Sequence, residues 1–387
     1  MERARGARLT KVEPPVDVLT LPAPVRKILD ASAPAAMRQM AAKGLAPGLK
    51  PAEALTVVVL LSESADAAVA AAARATLERL PAPLLNGALG GDLPPGVLAA
   101  IAPRYAANAG IIEKILAHPA MPPQAVVAVA AAASEAVAEL VATNEQRLLA
   151  FPEIIEKLYL NKSTRMSTAD RILELAVRNN VELQGIAAYK EAATAIGMEL
   201  IAEPSPEPTP DDVLFKELNA LAAQVDLDPA LEDTHELDEE TGLEKPKAKV
   251  EPVLKKFSEL TISQKIRQAT IGDATTRGLA LRDSNRLVST AAIKSPKIQE
   301  NEVVRVAANR SVSEDVLRII ATSQEWTRSH QIKLNLVQNP RTPFTFVSKL
   351  MGHLREAELK ALARSKNVSG AVATAARQQL SRRNIKS

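Results

Sequence analysis

Cysteine is absent from the 387 residues, which excludes disulfides, thiolate nucleophiles and cysteine-ligated metals. Aromatic side chains are nearly absent too. There are one Trp, three Tyr and five Phe, so the apolar content comes almost wholly from Ala, Leu, Val and Ile. Ala and Leu favour helices, and small side chains let helices pack closely. No stretch keeps up the period-two alternation of a half-buried strand. Long apolar runs are missing as well: the longest, around 57–61 and 125–133, are too short to span a bilayer. The basic start Met1-Glu2-Arg3-Ala4-Arg5-Gly6 leads into no apolar segment. These absences predict an all-α chain with no membrane span, working in the cytoplasm.

What is present is unevenly distributed. Net charge is 0 over residues 1–200, −12 over 201–240 and +15 over 241–387, against +3 for the whole chain. Within the acidic block, Glu203-Pro204-Ser205-Pro206-Glu207-Pro208-Thr209-Pro210 alternates proline too densely for a helix and predicts an extended linker. One amphipathic helix is expected over 211–224, with Val213, Leu214, Leu218 and Leu221 on its apolar face. Residues 226–249 combine acidity with few large apolar side chains and read as disordered. The division that follows is a disordered arm at 1–20, a helical-repeat domain at 21–202, a Pro-rich acidic linker at 203–252 and a second helical-repeat domain at 253–387.

Both halves predict arrays of short helices. Lys50-Pro51, Pro94-Pro95, Pro122-Pro123 and Phe151-Pro152 each precede an apolar segment of helical length. Proline is harmless at a helix's first position and stops the helix before it. Ile111-Ile112-Glu113-Lys114-Ile115-Leu116 recurs 43 residues on as Ile154-Ile155-Glu156-Lys157-Leu158-Tyr159. Asparagine marks the junctions: Asn108, Asn144, Asn179 and Asn180 in the first half, then Asn309, Asn339 and Asn367, spaced by 30 and 28. Asparagine tolerates the left-handed conformation that ends a helix, and a cap then opens the next one. Ser311-Val312-Ser313-Glu314 fits a capping box, and Thr342-Pro343 fits an N-cap followed by proline. Strandless units of 28–43 residues predict an α-solenoid of HEAT or armadillo type.

Four passages carry a resemblance. They are Thr143-Asn144-Glu145-Gln146-Arg147-Leu148-Leu149, the run 153–178, the block with Gly272-Asp273, Arg277 and Asp283-Ser284-Asn285, and Asn339-Pro340-Arg341-Thr342-Pro343. Together they resemble a group of uncharacterised bacterial proteins built of HEAT-like or leucine-rich-variant helical repeats. The resemblance covers roughly residues 30–200 and 253–382. It implies the repeat fold and carries over no catalytic residue, substrate or cofactor.

The chemistry-bearing residues give few constellations. His118, His235, His330 and His353 have no metal-ligand spacing. The acidic run Asp226-Leu227-Asp228…Glu232-Asp233 lacks the glycine and terminal glutamate of a calcium loop. Gly87-Ala88-Leu89-Gly90-Gly91-Asp92 has no lysine and no preceding strand, so it is not a phosphate loop. No cofactor is expected. The most site-like group is Gly272-Asp273 with Arg277, Asp283 and Asn285: either a polar groove that binds a partner, or a structural set in which Asp273 caps a helix, Arg277 pairs with a carboxylate and Asn285 ties a turn.

The basic half offers Arg267, Arg277, Arg282, Arg286, Lys294, Lys297, Arg305, Arg310, Arg364, Lys366, Arg377, Arg382 and Arg383 as a possible phosphate-contacting stripe. Only Trp326, Phe257, Phe344 and Phe346 are there to stack on bases. The expected function is a non-catalytic scaffold or adaptor that presents a helical-repeat surface to a protein partner. Nucleic-acid binding through the basic half is the alternative.

Overall fold

Proline sets where many of the helices begin. The computed structural model describes residues 16–201, 203–225, 227, 232–237 and 244–384, and over these the chain is all-α with one two-stranded ribbon. Helices Pro51–Leu61, Pro95–Ile101, Pro123–Ala132 and Pro210–Gln224 each start on proline, where the missing N–H has no helical acceptor to lose. Among the described residues, no helix is long and apolar enough to cross a membrane.

Compactness divides the chain between Thr164 and Arg165 rather than across 203–252. In the first unit, helix Pro51–Leu61 is apolar on nearly every side, and Leu55, Val57 and Val58 are fully buried. A helix of that kind belongs in a core. It packs against Ala23–Leu29, Ala35–Ala42, Ala67–Glu78, Ala82–Leu89 and Pro95–Ile101. From there the packing becomes serial. Pro95–Ile101 lies on Pro123–Ala132, which lies on Glu153–Leu160, while Ala109–Leu116 lies on Glu135–Ala142.

The second unit is built around helix Ile262–Ile271, which packs against Tyr189–Ile196, Ala274–Leu281 and Arg286–Ile293. One row then continues from Arg286–Ile293 to Glu314–Thr322, Phe344–Met351 and Gly370–Asn384, each helix against the next. A second row runs through Ala274–Leu281, Glu300–Ala308, His330–Gln338 and Glu356–Arg364. Packing joins its middle pair, and the pairs Arg277–Glu302 and His330–Glu358 join its ends.

Composition places 203–252 outside the folded parts, and the described residues of that span lie in the second unit instead. Helix Pro210–Gln224 forms as expected, but it buries Asp212, Phe215, Leu218 and Ala222, while Val213 is 47% exposed. Asp212 can be buried because it accepts from the N–H and hydroxyl of both Ser167 and Thr209, at 2.8 to 3.0 Å. Further on, His235–Leu237 pairs antiparallel with Glu244–Pro246, His235 opposite Pro246. Residues 1–15 of the expected arm, and 226, 228–231 and 238–243 of the acidic stretch, lie outside the described residues. Residues Val18–Thr20 of the arm form a single 3₁₀ turn.

The asparagine junctions work differently from the left-handed ends that the sequence suggests. Among described residues other than glycine, only Asn180 has positive φ, at 54°. Asn309 and Asn339 end their helices in extended conformation, with ψ of 124° and 119°. Their side chains accept the N–H two residues on, from Ser311 at 2.6 Å and Arg341 at 3.0 Å, and this Asx turn reverses the chain without a left-handed residue. Asn108 and Asn144 instead cap helix starts, and Asn367 is exposed. Helix Glu314–Thr322 opens at Ser313 rather than Ser311, and Thr342 Oγ1 is buried without a hydrogen bond instead of capping a helix.

Candidate functional site

Each of the four candidate residues has a partner inside the fold. Asp273 caps Ala274–Leu281, its Oδ1 accepting from the N–H of Thr276 at 2.9 Å and from the Thr276 hydroxyl at 3.0 Å. Only glycine fits just before it. A Cβ at Gly272 would collide with Thr276 Oγ1 and with the Gln268 carbonyl oxygen. Arg277 donates Nε and Nη2 to the two carboxylate oxygens of Glu302, at 3.0 and 2.9 Å, with both side chains buried. Asp283 accepts from Lys265 Nζ at 3.1 Å and from the Asn285 N–H at 2.7 Å. Asn285 caps Arg286–Ile293 by accepting from the Leu287 N–H at 2.9 Å. Asp283 and Asn285 therefore belong together, Arg277 is committed to a later helix, and Asp273 serves its own.

A recurring kind of contact ties several side chains to the ends of helices 25 to 32 residues earlier. Asn339 Nδ2 donates to the carbonyls of Ala307 and Asn309, at 2.9 and 2.8 Å. Asn161 does the same to Ala130 and Ala133, at 3.1 and 2.8 Å. Arg147 reaches the Leu116 carbonyl, Ser295 that of Thr270, and Arg383 those of Gly352 and Leu354. The acceptors sit at or near helix C-termini, where carbonyls have no partner within the helix. Sequence reading marked Asn339 as a junction but passed over Asn161, whose Asn-x-x-Thr spacing, ending in Thr164, matches Asn339 to Thr342. Asn339→Ala removes two donations from a buried site and should cost about 1–3 kcal/mol of stability, read as a lower urea midpoint. An unchanged midpoint would count against the pinning role.

Helix Ile262–Ile271 buries a cluster of polar side chains that the sequence pattern does not single out. Arg267, Gln268, Ser263 and Gln264 on helix Ile262–Ile271 are each at most 2% exposed. Ser263 Oγ donates to Asp170 at 2.6 Å, and Gln268 Nε2 donates to Asn219 Oδ1 at 2.9 Å. The Arg267 guanidinium lies 5.1 Å over the Phe215 ring and donates to the Arg165 carbonyl. Burial pushes the Asp170 carboxyl up to about 7, against the Ser263 hydrogen bond and the Arg267 charge, and with the repulsion of Glu199 and Asp211. The signal in the sequence was compositional. The stretch 262–278 is rich in hydroxyl and amide side chains yet nearly lacks the Glu–Lys pairs of a solvated helix.

No family model, curated protein or solved structure matches this chain. The remaining chemistry is therefore read from geometry alone. Among the described residues no group of three or more His, Asp or Glu could hold a metal ion. His118 Nε2 lies 3.1 Å from the Gly91 carbonyl while Nδ1 accepts from the Ala120 N–H, and His330 Nε2 lies 2.7 Å from Glu358.

Most of the basic stripe is engaged internally. Arg267 is buried, Arg277 faces Glu302, Arg286 faces Asp315 at 2.9 Å and Lys294 faces Glu191 at 2.7 Å. Lys297, Arg377 and Arg383 donate to backbone carbonyls. Arg310, Arg364, Lys366 and Arg382 are exposed. Of the aromatics, Phe257 is buried, Trp326 and Phe346 are half-buried and Phe344 is exposed.

Arg282 meets the acidic stretch itself. Its Nη2 donates to Asp233 at 2.8 Å, and Glu232 binds Lys247 and Lys249 at 3.2 and 2.9 Å. The Asp233 carboxyl titrates below its ordinary range: burial opposes this, and the Arg282 charge and hydrogen bond, aided by Arg305, outweigh it. Burial and the Arg282 charge also hold the neighbouring His235 below its usual value.

Proposed function

We propose that the serially packed helices form an α-solenoid of HEAT or armadillo type, akin to the bacterial helical-repeat proteins that the sequence resembles. In this reading the protein is a cytoplasmic, non-catalytic scaffold that presents a helical surface to a protein partner. One observation carries it: polar side chains that could otherwise meet a ligand reach back some thirty residues to close the ends of earlier helices. Asn161, Asn339, Arg147 and Arg383 all do this. Contacts that join each unit chiefly to its neighbour build an extended surface, the kind of surface that repeat proteins use for partners.

The nucleic-acid alternative needs a run of uncommitted cations, and the internal engagement of Arg267, Arg277, Arg282 and Lys294 speaks against it. The test pairs in-cell crosslinking and reconstitution of the recovered protein with anisotropy titrations against single- and double-stranded DNA and RNA. A reconstituted complex that survives a salt increase from 50 to 200 mM is expected. Tight nucleic-acid binding that falls steeply over that salt range, with no reconstituted protein complex, would overturn the reading.

A further inference from the structure

Two arginines beside one helix hold carboxylates in different ways, and the difference identifies a groove. Arg277 meets Glu302 fork to fork, through Nε at 3.0 Å and Nη2 at 2.9 Å. Arg282, just past the end of Ala274–Leu281, makes one hydrogen bond to the described part of the acidic stretch, Nη2 to Asp233 at 2.8 Å, while its Nη1 donates to the Gly278 carbonyl at 3.4 Å. Its Nε lies 3.5 Å from a Glu244 oxygen and is buried without a hydrogen bond. A guanidinium presents its donors as a rigid fork suited to both oxygens of one carboxylate, so a buried unmade donor marks a carboxylate held short of its best geometry. Beside it, Gly278 clears a seat. Thr234 is 3% exposed, and a Cβ at 278 would come within 2.7 Å of its Cγ2. Glycine weakens a helix interior, and here its absent side chain admits the residue that follows the carboxylate.

The geometry points to a groove at Gly278, Arg282 and Arg305 that binds an acidic, extended segment of a partner protein. The chain's own 232–237 and 244–246 fill it as a stand-in, with Asp233 hydrogen-bonded to Arg282 and Glu244 paired with it only loosely at 3.5 Å. This rests on the scaffold reading and specifies the partner's chemistry at one place. An incoming Asp or Glu followed by a small residue would engage Arg282 through Nε and Nη2 together and set the small side chain over Gly278. A peptide suits the groove better than a nucleic acid. The Glu302 carboxylate lines it beside Arg282, whereas a phosphate chain needs a run of exposed cations. The covalent tether gives the stand-in a high effective concentration, so it stays seated although its hydrogen bonding is incomplete.

The test uses the full chain and a fluorescent synthetic peptide of residues 226–250, followed by anisotropy. Neutralising the stand-in with Asp233→Asn and Glu244→Gln should tighten peptide binding at least about tenfold over wild type by removing the tethered competitor. Adding Arg282→Ala to that double variant should abolish binding. A scrambled peptide of equal charge and a DNA oligonucleotide should each bind at least about tenfold more weakly than the native peptide. In the wild-type protein, saturating peptide should also strip hydrogen-exchange protection from residues 232–237, a readout that needs no variant. Scrambled peptide binding as tightly as native, DNA binding more tightly than either, or protection unmoved by peptide would each overturn the groove. Such a failure alongside a reconstituted protein complex leaves the scaffold standing. Peptide binding without any such complex sinks the scaffold instead.

Discussion

Arg277→Ala is expected to lower unfolding free energy by about 3–5 kcal/mol, because it leaves the Glu302 carboxylate buried and without its counter-charge. Glu302 is 5% exposed, and besides binding Arg277 it accepts from the Gln299 N–H at 2.9 Å, closing the start of its own helix. Removing the arginine therefore strands a charge at the joint between Ala274–Leu281 and Glu300–Ala308. Two further variants separate the ion pair from packing. Glu302→Gln keeps the cap acceptor and loses the charge, so it should cost less than Arg277→Ala. Arg277→Met combined with Glu302→Leu should recover most of the loss, since a buried pair can be replaced by well-packed apolar groups at little cost. Urea unfolding with an unchanged slope checks all three. A cost under about 1 kcal/mol for Arg277→Ala would mean that the pair is solvated and that the joint is held by something else.

Stability is also expected to fall as pH rises from about 4 to about 8, through Asp170. Its carboxyl has an ordinary value of 3.8 and stands at about 7 in the fold. Between those values the folded chain keeps a proton that the unfolded chain has released. The contribution is fully present below the unfolded value and is lost as pH rises through the folded one. Three units of displacement correspond to about 4 kcal/mol as an upper bound, at about 1.4 kcal/mol per unit. Asp170→Asn keeps an oxygen to accept from Ser263 and cannot ionise, so its stability curve should lie flat where the wild type declines, and above it at pH 8. Parallel curves for the two proteins between pH 5 and 8 would show that Asp170 is ionised throughout, held so by Arg267.

Local signals in the sequence were legible and distant ones were not. Prolines at 51, 95 and 123 named helix starts because the effect of proline on its own residue needs no tertiary partner. The cap Asp273 was readable for the same reason, since its carboxylate serves an N–H three residues on, whereas Asn285, expected to tie a turn, caps the next helix. The partner of Arg277 lies 25 residues away and that of Asp170 lies 93 away, and neither spacing has a pattern that one sequence can reveal. The acidic stretch read as disordered, and its charge of −12 against +15 predicts contact with the basic half without naming Arg282, 49 residues beyond Asp233, as the partner. The buried face of Pro210–Gln224 was misassigned on the same ground. Four donors from Ser167 and Thr209 make burial of Asp212 tolerable, and hydropathy alone would put Val213 inside.

Native-state hydrogen exchange tests the central claim most directly, namely that the second unit is a serial array whose members are held mainly by their neighbours. In such an array opening is local and stability sums over neighbouring interfaces. The slowest amides should lie in Ile262–Ile271 and Arg286–Ile293, with opening free energies stepping down through Glu314–Thr322 and Phe344–Met351 to Gly370–Asn384. Asn339→Ala should deepen the steps beyond Asn309 and leave Ile262–Ile271 unmoved. One common opening free energy for every slow amide from 165 to 384, lowered uniformly by Asn339→Ala, would show a single cooperative core and contradict the account.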